Sequence, residues 1–209
     1  LQVSGNEDLT KYDINSTLIN DKVKSFEAIG SIDVSTNSSK IDLDVSLNEF
    51  NMQALSPFGA DVITDIRGQI KGKAQVTGDL VSPDVQGRFS LINSGLRVVE
   101  LNTDFEIENN AQLIVTKNKL EIESATITDT RFNTVGDFYG NATHRNFSDW
   151  ELNLNVEAPE RLLVLNTPPD DEALYYGTAF ISGSADISGP IDELVIDVTA
   201  TTEEGTTFK

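Results

Sequence analysis

The sequence predicts an all-β protein, and three observations lead there. Segment after segment alternates apolar and polar residues with a period of two. The heptapeptide Gly72-Lys-Ala-Gln-Val-Thr-Gly78 returns as Gly183-Ser-Ala-Asp-Ile-Ser-Gly189. Turn residues separate the alternating runs at about 8–12-residue spacing, as in all-β domains. Period-two alternation sends one class of side chain to each face of a strand. The chain therefore reads as roughly fourteen strands, each apolar on one face only.

Taken in order, Gly30-Ser-Ile-Asp-Val-Ser-Thr36 is a weaker copy of the heptapeptide that keeps its leading Gly and its alternation. Ile41, Leu43, Val45 and Leu47 then alternate with Asp42, Asp44 and Ser46. The stretch from Asn48 to Ile63 breaks the rule, because Phe50, Met52, Leu55, Phe58 and Val62 recur at steps of three and four after an Asn cap. That spacing predicts one short helix near 50–62, which Pro57 and Gly59 limit to two or three turns. In the next run Ile66, Gly68, Ile70, Gly72, Ala74, Val76 and Gly78 share a face, opposite Arg67, Lys71 and Lys73.

After the break at Ser82-Pro83-Asp84, the run continues with Val85, Gly87, Phe89 and Leu91. Asn93-Ser-Gly95 and Asn109-Asn110 read as turns, and Thr116-Lys-Asn-Lys119 joins the runs 112–115 and 120–123. Leu152, Leu154 and Val156 form another strand face, and the segment from Asn166 to Asp171 reads as a rigid acidic loop. In the second heptapeptide copy, Gly177, Ala179, Ile181, Gly183, Ala185, Ile187 and Gly189 lie opposite Thr178, Phe180, Ser182 and Asp186. The segment from Leu194 to Ala200 closes the series. We read 1–209 as a single elongated β module, divisible into sub-repeats 25–100 and 101–209, and as a fragment of a larger chain.

An apolar face of this extent requires a cover, since apolar burial is worth roughly 25 cal/mol per Å². Helices are nearly absent from the pattern, which leaves two solutions. A second sheet packs on the face as a sandwich, or the sheet curls and admits an apolar ligand. Glycines on the inner face permit curvature, but in a sandwich they merely relieve crowding. Periodicity alone leaves both open.

Charge and composition remove whole classes of function. The chain carries 34 Asp and Glu against 15 Lys and Arg, a net charge of −19 that repels phosphate backbones and anionic headgroups. The excess is uneven: residues 1–104 hold 15 acids and 9 bases, and residues 105–209 hold 19 and 6. Nucleic acid is excluded as a partner. With no Cys, the chain has neither disulfides nor thiolate chemistry, and its single His144 cannot form a multi-histidine metal site. No cofactor is implied and no catalytic residue is expected. Asp42/Asp44, Asp170/Asp171/Glu172 and Glu203/Glu204 lack calcium-loop spacing and read as solvated acids. His144, close to Phe147 and Trp150, reads as a structural turn contact. Arg67, Lys71 and Lys73 form a basic stripe that is solvent-exposed or touches a lipid phosphate.

The stretch Gly136-Asp-Phe-Tyr-Gly-Asn-Ala-Thr-His-Arg-Asn-Phe-Ser-Asp-Trp150 is followed by Leu152-Asn-Leu154, Leu163-Val-Leu-Asn-Thr167 and Tyr175-Tyr-Gly-Thr-Ala-Phe-Ile-Ser-Gly183. This series resembles the carboxy-terminal domain of TamB, the inner-membrane-anchored partner of the translocation and assembly module, within the AsmA-like group. The stretch from Gly68 to Leu91, with its Gly-Asp-Leu-x-x-Pro-x-Val-x-Gly run, resembles the repeated unit of that family, and the likeness spans about residues 20–209. The resemblance implies a long curled sheet, a β-taco, with an apolar concave face in the periplasm of a Gram-negative envelope. It further implies a non-enzymatic role: shielding phospholipid during transport from the inner to the outer membrane, assisting outer-membrane β-barrel assembly, or both. Its implied partners are phospholipid in the groove and an outer-membrane barrel of the Omp85 type, with the parent chain anchored in the inner membrane.

On that reading the groove is lined by Ile41, Leu43, Val45, Leu47, Ile66, Ile70, Ala74, Val76, Leu152, Leu154, Val156, Ile181, Ala185 and Ile187. The competing expectation is an extracellular or cell-surface β-sandwich, such as an adhesin-stalk module.

Overall fold

Alternating runs become strands that meet in chain order. The computed structural model describes residues 1–20, 22–58, 62–169 and 176–208. The strands are β1 (Gln2–Gly5), β2 (Lys11–Asn20), β3 (Val23–Asp33), β4 (Lys40–Asn51), β5 (Ile63–Asp79), β6 (Pro83–Val98) and β7 (Thr103–Ile107). They continue as β8 (Gln112–Thr116), β9 (Lys119–Asp129), β10 (Val135–Arg145), β11 (Ser148–Thr167), β12 (Gly177–Pro190), β13 (Val195–Thr202) and β14 (Thr207–Phe208).

All belong to one antiparallel sheet whose order follows the chain from β1 to β6, passes through a lane shared by β7 and β8, and runs on from β9 to β13. In the shared lane the backbone stays satisfied: Glu108 N–H donates to Thr126 O, and Leu91 N–H donates to Ala111 O, both at 2.9 Å. Twelve lanes at about 4.8 Å spacing make a sheet about 53 Å across.

A twisted sheet of this width curls, and side chains from separated lanes meet across the curl. Phe105 on β7 and Leu162 on β11 share one buried cluster with Ile127 and Ala158, although β9 and β10 lie between their strands. The same fold-over appears in the backbone, where Asn166 N–H on β11 donates to Leu101 O in the β6–β7 turn at 2.9 Å. At the opposite end of the strands, the Ser82 hydroxyl meets Asn146 Oδ1 at 2.8 Å, joining the β5–β6 and β10–β11 tips over the shorter β8–β9 hairpin. A second buried cluster, Ile70, Phe89, Leu91, Ala111 and Ala125, fills the middle of the concave side. Among the described residues all strands join one hydrogen-bonded sheet.

Two inner-face glycines permit the close approach of neighbouring strands. A methyl group at Gly72 would lie on the Arg88 carbonyl oxygen and 2.7 Å from both Phe89 Cα and its ring, so the room left by this glycine is taken by Phe89. Gly183, at φ +137°, would place a methyl on the Thr199 carbonyl oxygen and 2.7 Å from Ala200 Cα.

The short helix expected near 50–62 is present as the 3-10 helix Met52–Phe58, with Asn48 to Asn51 still part of β4. A register shift between Leu47 and Phe50 marks the irregular end of β4 before the helix, and Gly59 lies outside the described residues. Three other local expectations need correction. Asn93-Ser-Gly95 is an irregularity inside β6, with Asn93 at φ 47°, rather than a turn. The alternation foreseen from Ile66 to Ile70 is interrupted by register shifts on both sides of Arg67. Finally, Asn166 and Thr167 are strand residues paired with Thr178 and Gly177, so the loop after β11 begins later than expected.

Candidate apolar groove

The strand registers place the inward residues in rows that cross the sheet. One row runs Phe26, Leu47, Gly72, Phe89, Leu113, Ile122, Gly140, Leu154, Ile187 and Ile196, each directly opposite the next. A parallel row runs Ala28, Val45, Ala74, Gly87, Val115, Leu120, Ala142, Leu152 and Gly189. On the far side of the first row, Phe138, Val156, Ala185 and Val198 are opposed in turn. Directly opposed side chains lie about 4.5–5.5 Å apart at Cβ, so these rows form a continuous hydrocarbon surface.

Of the fourteen residues expected to line a groove, Ile70 is in the buried central cluster, at 6% exposure. The other thirteen are half-buried. Ile41, Leu43, Val45 and Leu47 on β4 face Gly78, Val76, Ala74 and Gly72 on β5. Leu152, Leu154 and Val156 on β11 face Gly189, Ile187 and Ala185 on β12. Ile181 faces Leu162, and Ile66 lies within the irregular stretch between Thr64 and Gln69. These thirteen keep part of their surface exposed, as do outward residues such as Ser46, Tyr139 and Asn155. The expected set under-represents the central lanes. Phe89, Leu91, Leu113, Val115, Leu120, Ile122 and Phe138 belong to the same surface, and the alternation that marked the outer lanes marked them too.

The opposite face is polar. Asp42, Asp44, Lys71, Lys73, Asn153 and Asp186 all point outward and are exposed. Arg67 is not a free cation, since its guanidinium donates to Asp104 Oδ1 at 2.7 Å and to Phe105 O at 3.3 Å. Phe180 and its partner Leu163 are buried on this face: Arg161 stacks 3.7 Å above the Phe180 ring, Phe132 meets it edge-on at 5.1 Å, and the Glu203–Thr206 turn bonds to its backbone.

The rims are pinned by side chains with structural duties. His144 is buried, and its Nδ1 accepts the Phe147 N–H at 3.0 Å while its ring lies 4.6 Å from both Phe147 and Trp150. Burial pushes the imidazole pKa below its ordinary value. Asp129 is fully buried and accepts N–H groups from Arg131 at 3.0 Å, Phe132 at 2.7 Å and Thr134 at 2.6 Å, together with the Thr134 hydroxyl. Asp79 binds the Ser38 hydroxyl and the Val81 N–H, and these bonds hold its carboxyl below the usual range.

Among the described residues no group of three or more His, Asp or Glu has metal-binding geometry. Asp170, Asp171, Glu172 and Tyr175 lie outside the described residues.

A single-layer, curled antiparallel sheet with a continuous apolar concave face defines the class of protein. Residues 123–209 match the family model of the TamB C-terminal domain, which bears out over that span the resemblance read from the sequence. The match begins within β9 and takes in every strand from β10 to β14, as a TamB-family carboxy-terminal fragment would. Residues 1–122 lie outside it. No curated protein and no solved structure matches the chain. The TamB family is a non-enzymatic component linked to the translocation and assembly module of the Gram-negative envelope, and is associated with an outer-membrane partner. No helix among the described residues is long and apolar enough to cross a membrane.

Proposed function

We propose that this chain is a periplasmic groove of the TamB type that shields phospholipid acyl chains between the inner and outer membranes. The observation that carries this reading is the unbroken apolar row from Phe26 to Ile196, half-exposed in its outer lanes. Each methylene removed from water on such a surface gains about 0.8 kcal/mol, while a headgroup at the open side stays hydrated. Movement along the sheet needs no catalytic group, only apolar contact repeated from lane to lane. The outer face and net charge of −19 disfavour anionic headgroups close to the wall, so the acyl chains supply the affinity.

The same sheet supports assistance to outer-membrane β-barrel assembly. In that second role an Omp85-type barrel partner engages an outermost strand by backbone hydrogen bonding. The observation that favours it is that β1 and β13 each have one unpaired side among the described residues.

The test is to purify the chain from cells with intact membranes, extract it with organic solvent and identify lipids by mass spectrometry. The account expects phospholipid at about one molecule or more per chain. A folded protein free of lipid, which also takes none up from vesicles, would overturn it.

A further inference from the structure

Of the two edges free among the described residues, β13 is the less protected against strand addition. β1 is four residues long, whereas β13 pairs with β12 over eight residues, from Val195 to Thr202, without a register shift. Those eight residues contain one charge, no Pro and no Gly, and all of them are exposed. Natural edges of this length carry lysines, prolines or bulges, and an alternating β-branched edge without them recruits a further strand. Ile196 and Val198, 59% and 57% exposed, continue the concave rows, because they lie opposite Ile187 and Ala185.

We propose that the partner of this edge is β13 of a second copy, paired antiparallel about Val198. In a two-fold antiparallel pair centred on a residue, partners share a face, so apolar meets apolar; centring between residues would oppose apolar to polar. Centring on Val198 sets Ile196 against Ala200 of the second copy and Val198 against its equivalent. It also sets Asp197 against Thr199 and Val195 against Thr201. Centring on Asp197 would oppose two carboxylates, which destabilises a cross-strand pair. Centring on Thr199 would set Ile196 against Thr202. The two-fold axis stands perpendicular to the sheet, so both concave faces open to the same side and their apolar rows join. The pairing depends on the β13 edge alone and holds whether or not lipid occupies the groove. It closes on itself as a dimer rather than growing into a filament. Like charge on the two copies opposes it, and salt screens that repulsion.

The chain has no cysteine, so a single introduced one reports register without background. Val198→Cys is expected to form an intermolecular disulfide under mild oxidation, more than tenfold faster than Val81→Cys, which is 85% exposed on a hairpin tip. Light scattering on the unmodified chain is expected to give twice the monomer mass of 22.8 kDa, with the dimer fraction rising with salt. Val198→Lys and Val198→Asp should each be monomeric and should re-form a dimer when mixed. A unmodified chain that stays monomeric at every concentration and salt, or a dimer that survives Val198→Lys, would overturn the proposal. Faster cross-linking at Val81 or Thr199 than at Val198 would do the same.

Discussion

Replacing Ile187 with Asp separates an open groove from a sealed core. Ile187 is half-buried in the main inward row, between Leu154 on β11 and Ile196 on β13. Complete burial of such a side chain is worth about 1.5–3 kcal/mol, so its half-burial contributes about 1–1.5 kcal/mol. Aspartate is also a poor strand former, on a scale that spans about 1 kcal/mol. The fold should therefore lose about 2–2.5 kcal/mol, which a domain stable by about 5–15 kcal/mol survives. For an acyl chain lying across the site, the loss is larger. Contact with about two methylenes disappears, and a carboxylate must be desolvated or the chain displaced, for a total of about 3–4 kcal/mol. That is a weakening of about two to three decades in affinity.

Displacement of a fluorescent fatty-acyl probe measures this, with urea unfolding on the same sample to establish that the variant is folded. Asn153→Asp is the control, because Asn153 is exposed on the outward face beside Leu152 and Leu154 and adds the same charge. Its affinity should stay within about threefold of the parent. A folded Ile187→Asp that binds the probe unchanged, or an Asn153→Asp that weakens it equally, would refute the reasoning.

Asp129→Ala should destabilise the chain by about 2–4 kcal/mol in urea titrations, because it orphans three backbone N–H donors in the β9–β10 turn. Asp129→Asn, which keeps one acceptor oxygen, should lose less; equal losses would mean the turn relaxes without its carboxylate. His144 predicts the pH response. Its folded pKa lies below the unfolded value near 6.5, so the unfolded chain binds the proton more tightly. Stability from neutral His144 is complete above about pH 6.5 and declines as the pH falls through that value towards the folded pKa. Since this is the only histidine, its imidazole resonances titrate without overlap, and a midpoint at or above 6.5 would contradict the burial argument.

Strand content was legible because it rests on local chemistry. Ile41 to Leu47 alternates perfectly and pairs perfectly, and the two heptapeptide copies occupy equivalent positions, each flanked by apolar strands on both sides. Local chemistry also misled where it serves two purposes. Asn93 supplies a positive φ within β6 as readily as it would in a turn. Phe50 fell in step with the helix that Met52 opens, yet it belongs to β4, whose register shifts after Leu47.

The curl was not legible from alternation, which tells which face a residue occupies but not what covers that face. The buried cluster that holds Phe105 and Leu162 joins strands distant in the chain, and no local window contains it. The same limit explains Phe180, placed correctly on the outward face yet almost fully buried there by Arg161 and the chain after β13. Half-burial of the lining is likewise a tertiary property. It makes Ile187, which is half-buried, a more informative substitution than Ile70, which is core.

The central claim is that one face of this sheet, along its whole width, meets hydrocarbon. Photocrosslinking residues introduced singly at Val45, Leu120 and Leu152, in the second inward row, and at Asp44, Glu121 and Asn153 beside them, test it most directly in cells with intact membranes. The account predicts phospholipid adducts at all three inward positions, spread across the sheet, and none at the outward three. Adducts on both faces alike, or protein adducts alone at the inward positions, would contradict it.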